Sequence, residues 1–210
     1  MHVEQFVMAY KVEQDRIRAI LPDGYSSLRP VMRINTEIRQ SGSREFVYVE
    51  FNTPVEAEGR RGWLNIGRWN SDDSDISLAR NGRTVTLYSS FFKLTYTGTG
   101  RSGGCPAEKD NDGCFYISEK ETVFIPAKEI KENKEFCDCE FAWSFSENDA
   151  KGRSIGKTLP AFIEKAENTY EKKAFTPEHA AALPCQQVLG AYIVRFEETK
   201  NPLSETRRAQ

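Results

Sequence analysis

The sequence predicts an α+β protein built on a strongly curved antiparallel β-sheet or closed β-barrel with a few short helices. Three observations predict it. Segments with period-two alternation recur along the chain. Glycine- and asparagine-containing turn signals separate several of them. Helical stretches are few and do not alternate regularly with the strands, as a parallel β-α-β fold would require.

The elements follow in order. Residues 4–12 (EQFVMAYKV) form a first strand. Residues 13–21 form a short amphipathic helix, with Ile17, Ile20 and Leu21 at i, i+3, i+4, stopped by Pro22 and Gly24. Residues 31–38 alternate as a strand, with Met32, Ile34 and Ile38 on one face and Arg33, Asn35, Glu37 and Arg39 on the other. Ser41-Gly42-Ser43 turns the chain into a strand over 46–55. There Phe46, Tyr48, Glu50 and Asn52 share one face, and Val47, Val49 and Phe51 the other. Residues 58–62 are a hairpin turn leading to a strand over 63–69, followed by an acidic loop over 70–75. Asn81-Gly82 introduces a strand over 84–96. Residues 97–113, rich in glycine and small polar residues, are expected as an exposed arm or mobile loop. Strands over 115–125 and 136–145, a helix over 159–170, a helix start at Thr176-Pro177 and a closing strand over 187–197 complete the reading. No linker divides the chain, so residues 1–198 are expected as a single domain and 199–210 as a polar C-terminal tail.

Bulk composition excludes several function classes. At 210 residues the chain can bury a full core without a metal or disulfides. Lys plus Arg (29) nearly balance Asp plus Glu (31), so no basic field attracts nucleic acid or an anionic membrane. No apolar run reaches membrane-spanning length, and the first residues do not read as a signal peptide. Five cysteines, an odd number, argue against a secreted disulfide framework and for a reducing, cytoplasmic location.

Other motifs carry little chemistry. Residues 152–158 (GRSIGKT) fall one residue short of a phosphate-binding loop and follow no buried strand. Cys105, Cys114, Cys137 and Cys139 lack the two-to-four-residue spacing of zinc ligands, so no metal is expected. His2 and His179 sit in no nucleophile–base constellation. No cofactor is expected.

The charged faces of the 31–38 and 46–52 strands are more informative. Charges among aromatics on a sheet suit a polar pocket, although a solvated face reads the same way. Lys93 lies by alternation with Val85, Leu87 and Phe91. On an inward face it is desolvated and suited to attack a carbonyl; on an outward face it is an ordinary lysine.

Residues 4–10, then Asp15 through Pro22, then Arg29-Pro-Val-Met-Arg-Ile34 resemble the opening of acetoacetate decarboxylases. Val49 through Val55 and Gly62 through Ile66 are similar to an uncharacterised branch of that superfamily, and the resemblance spans roughly residues 4–96. It implies a cone-like barrel with a central ligand cavity. In the decarboxylases a cavity lysine forms a Schiff base with a β-keto acid, within a G-R-E-x-x-x-x-P-K-K pattern. Matching Gly59-Arg60 to that pattern puts the lysine pair on Gly67 and Arg68, and arginine cannot form the imine. The other register brings residues 88–93 to the pocket and makes Lys93 the replacement amine.

The expected function is therefore a pocket for a small-molecule carboxylate or keto acid. Arg33, Arg39, Asn52 and Arg68 are its ligand-binding residues, Lys93 the amine and Glu50 the proton-transfer group of a decarboxylase-like lyase. The alternative is a non-catalytic binding or interaction protein on the same fold. In that reading the 97–113 arm contacts a second subunit of a homo-oligomer.

Overall fold

A computed structural model describes residues 1–72, 75–89, 92–106, 112–117, 122–127, 130–143, 147–148, 154–155, 183 and 185–198. The described part is mostly β-sheet with one helix. Strand β1 (His2–Lys11) leads to helix α1 (Gln14–Ile20) and the short β2 (Ser26–Ser27). Then come β3 (Val31–Ser41), β4 (Arg44–Ala57) and β5 (Arg60–Asn70). They are followed by β6 (Ser77–Asn81), β7 (Thr84–Tyr88) and β8 (Phe92–Pro106). The remaining strands are β9 (Cys114–Ile117), β10 (Thr122–Ile125), β11 (Asn133–Trp143), the small pair β12 (Glu147–Asn148) and β13 (Ser154–Ile155), and β14 (Gln187–Glu197). Among the described residues no helix is long and apolar enough to cross a membrane.

The main sheet runs β10-β9-β5-β4-β3-β1-β14-β11-β8-β7-β6, with β2 beside β4. The pairings are antiparallel except β5 with β9. Glycine turns join the β3–β4, β4–β5 and β6–β7 hairpins, and Gly42, Gly59 and Gly82 take positive φ there.

The strand order is an open path with β10 and β6 at its ends, so hydrogen bonding among the described residues does not close the expected barrel. Side chains nonetheless bring distant strands together. Phe51 of β4 meets Phe92 of β8 edge-on at 6.3 Å, and Phe6 of β1 meets Tyr96 of β8 at 5.1 Å. Arg80 of β6 pairs with Glu4 of β1 at 2.6 Å and with Glu45 of β4 at 3.3 Å. The β6–β8 end therefore lies against the apolar face of β1, β3 and β4. The main core lies there, including Phe6, Met8, Ile34, Val49, Phe51, Leu64, Leu87 and Leu94.

Three sequence expectations are corrected. Residues 84–96 are a hairpin of β7 and β8, closed where Ser89 N–H donates to the Phe92 carbonyl and Ser89 Oγ accepts from Phe92 N–H. The 97–113 arm is instead, through Pro106, a continuation of β8 paired to β11. The span 115–125 is the β9–β10 hairpin rather than one strand. The expected helices over 159–170 and at Thr176, His179 and the 199–210 tail lie outside the described residues, as does the 152–158 motif apart from the backbone of Ser154–Ile155.

Candidate functional site

Register explains why two charged faces become one site. Arg33 pairs opposite Asn52, Asn35 opposite Glu50 and Glu37 opposite Tyr48, so the odd residues of β3 and the even residues of β4 share one face. A register shift between Phe51 and Asn52 then places Asn65 of β5 opposite Asn52 and leaves Ile66 as the extra residue. The bulge turns Asn65 onto that same face. The result is a buried polar layer on the opposite side of β3–β4 from the main core.

Glu50 is its centre and only 3% exposed. Its Oε2 accepts from the Tyr48 hydroxyl (2.9 Å), Asn65 Nδ2 (2.9 Å) and the Tyr116 hydroxyl (3.1 Å), while Oε1 accepts from Asn35 Nδ2 (3.0 Å). Gln5 Nε2 donates to Asn35 Oδ1 at 2.9 Å and fixes which way that amide points. A buried carboxylate needs such donors, because desolvation without them costs several kcal/mol.

Arg33 is the second charge, 8% exposed. Its guanidinium lies over the Trp63 ring with Cζ 4.0 Å from the centroid. Its Nε donates to Asn52 Oδ1 at 2.9 Å and its Nη2 approaches Cys114 Sγ at 3.7 Å. Its described partners are thus an amide oxygen, a thiol and an indole ring, with no carboxylate among them. Two donors beside it are also unsatisfied. Asn52 Nδ2 and Trp63 Nε1 are buried with no hydrogen-bond acceptor among the described residues. Burying a guanidinium with no carboxylate partner beside two unsatisfied N–H donors is costly, and native structures seldom tolerate it without a reason.

Close backbone approach brings Cys114 to this corner. Trp63 pairs with Cys114 in the parallel β5–β9 ladder, and Trp63 N–H donates to the Gly113 carbonyl at 2.8 Å. A Cβ on Gly62 would stand 2.6 Å from that carbonyl, and one on Gly113 would strike the Phe124 ring. Glycine at both positions lets β9 dock.

The expected site residues fall into three groups. Arg33, Glu50 and Asn52 come together as described. Arg39 lies six residues along β3 from Arg33 and gives two hydrogen bonds to Glu37 Oε2, so its charge already has a buried partner. The Arg68 backbone pairs opposite Glu50, and its side chain lies outside the described residues. Lys93 is a correction to the alternation reading. It pairs with Tyr88, not with the Val85–Leu87 face, and is exposed with Nζ 5.6 Å from the Tyr88 ring centre. The inward, desolvated position that imine chemistry required is not where Lys93 sits. Asn65, Trp63, Cys114 and Tyr116 were not singled out for the site from sequence. Among the described residues no cluster of His, Cys, Asp and Glu could hold a metal.

The fold is shared with solved acetoacetate decarboxylase-like structures. The acetoacetate decarboxylase of Legionella pneumophila superposes with a TM-score of 0.58, covering 93% of this chain and 81% of that one at 12% identity. The enduracididine biosynthesis enzyme MppR, complexed with pyruvate, gives 0.56 over 92% of this chain and 84% of its own at 13% identity. No family model and no curated protein matches the sequence.

Proposed function

We propose that this chain binds a small carboxylate or carbonyl metabolite at the Arg33 corner of the buried polar layer. The domain we propose spans residues 1–198, with its sheet wrapped as in the acetoacetate decarboxylase-like enzymes. The observation that carries the reading is the buried Arg33 guanidinium, whose described partners include no carboxylate, flanked by the idle donors Asn52 Nδ2 and Trp63 Nε1. A ligand carboxylate would satisfy all three at once, and arginine is suited to such planar recognition. MppR's complex with pyruvate supports the choice of a keto acid as first probe.

Glu50 is the proton-transfer group of this reading. Its Oε1 carries one donor against three on Oε2, so Oε1 is the oxygen with acceptor capacity to spare. The Tyr116 hydroxyl, on a partly exposed side chain, links Glu50 to the ligand side. Exposure of Lys93 favours binding, or chemistry without an imine, over a Schiff-base lyase.

Titration calorimetry with pyruvate tests the binding. Wild type should take up one pyruvate per chain, and Arg33→Gln should lose at least about tenfold in affinity. Equal affinity in both proteins would overturn the assignment. Borohydride reduction in the presence of pyruvate should leave no adduct on Lys93; a stable adduct there would restore the imine mechanism.

A further inference from the structure

We propose that Cys114 is a nucleophilic thiol of this site, and that the ligand class it fits is a small α-keto acid, carboxylate on Arg33 and ketone carbon toward the sulfur. The inference rests on the anion reading above and adds a covalent step to it.

Three observations place the thiol in the site rather than beside it. Arg33 Nη2 donates to Cys114 Sγ at 3.7 Å, the cation-side setting in which nucleophilic cysteines are found. The β5–β9 register sets Cys114 opposite Trp63, whose ring carries that same guanidinium. The unsatisfied donors Asn52 Nδ2 and Trp63 Nε1 flank the same cation, and Asn52 is fully buried. They are unused donors that an acceptor-bearing ligand would satisfy. Cys114 is itself partly exposed, so a small molecule can approach it.

The other described cysteines are held as thiols by burial and, at two of them, by nearby carboxylates. Burial pushes the Cys137 thiol up to about 12, and the carboxylates of Asp138 and Glu135 add to that. Burial likewise raises Cys139, helped by Cys137, Cys185 and Glu140, and it raises Cys185 against a hydrogen bond from Gln187. At neutral pH these stay thiols and react slowly.

The step balances without an oxidant. The Cys114 sulfur adds to the ketone carbon, an S–C bond forms and the C=O π bond breaks. The thiol proton ends on the former carbonyl oxygen, giving a reversible thiohemiketal. Arg33 holds the carboxylate so that the ketone lies next to the sulfur.

Bromopyruvate, which carries the same carboxylate and ketone and loses bromide to an attacking thiolate, is the probe. Peptide mapping should show Cys114 alkylated at least about tenfold faster than Cys137, Cys139 or Cys185, with the rate suppressed by pyruvate. Asn52→Asp, which gives Arg33 a carboxylate of its own, should slow that labelling about tenfold while the chain stays folded. With pyruvate labelled with carbon-13 at its ketone, the wild type should show a new tetrahedral carbon signal that Cys114→Ser lacks. Pyruvate binding without that signal, and with Cys114 labelled no faster than its neighbours, overturns the thiol while the anion site stands. Fast labelling that neither pyruvate nor Asn52→Asp slows overturns the Arg33 anion reading instead.

Discussion

The two faces of β3 and β4 are both buried, yet they are held in different ways. On one face Ile34, Val49 and Phe51 join an apolar core that closes against Phe92 and Leu94. On the other, Arg33, Asn35, Glu50 and Asn52 are as hidden from water as the hydrocarbon behind them. The apolar face stabilises the fold at roughly 25 cal/mol for each Å² removed from water. The polar face regains by hydrogen bonds only part of what desolvation takes away. Glu50 is well supplied with donors, whereas the Arg33 corner is left short of acceptors. A sheet needing only stability would be better served by apolar residues at both faces. In the proposed reading, a ligand completes that corner.

Mutations can break this comparison or sharpen it. The largest effect is expected on the apolar face, where Phe51→Ala should cost about 3–5 kcal/mol in denaturant unfolding. A loss below about 1 kcal/mol would mean that Phe51 and Phe92 do not join the two ends of the sheet. Next comes Gly62→Ala, whose new methyl must push β9 away and should cost about 1–3 kcal/mol. It should also weaken pyruvate binding by displacing Cys114 from Trp63. Unchanged stability and binding together would refute the docking of β9 on β5.

The smallest effect lies far from the site, at the ion pairs of Glu135. Burial works to raise this carboxyl, but hydrogen bonds from Arg195 and the Gly100 N–H, with the charges of Arg195 and Arg83, outweigh it and hold it below its ordinary 4.5. A carboxyl lowered by folding contributes stability above 4.5 and loses it as the pH falls through the folded value. Glu135→Gln should therefore cost about 1 kcal/mol or less at pH 7. The difference from wild type should vanish in acid, which unfolding followed from pH 7 to pH 3 will check.

Much of the buried polar layer was legible in alternation. The odd residues of 31–39 and the even residues of 46–52 separated charge from hydrocarbon correctly, and the glycine turns at Gly42 and Gly59 set the registers that joined them. Lys93 failed for a local reason. Its turn at Ser89 carries no Gly, Pro or Asn-Gly signal, and the serine hydroxyl does the work instead, so the face was misassigned when the hairpin was read as one strand. Cys114 and Tyr116 failed for a non-local one. They reach the site through a parallel pairing of β9 with a strand about fifty residues earlier, and no local period encodes such a pairing. Trp63 and Asn65 depended on the bulge at Ile66, which a strict period of two does not anticipate.

Thermal unfolding of wild type and Asn52→Asp across a pyruvate series tests the central claim most directly. If Arg33 is waiting for a carboxylate, the melting temperature of wild type should climb with pyruvate concentration as mass action requires. Asn52→Asp should start higher, by about 1–3 kcal/mol of added stability, and should not respond to pyruvate. A wild type indifferent to pyruvate and to other small carboxylates, or an Asn52→Asp protein that responds as strongly as wild type, would contradict it.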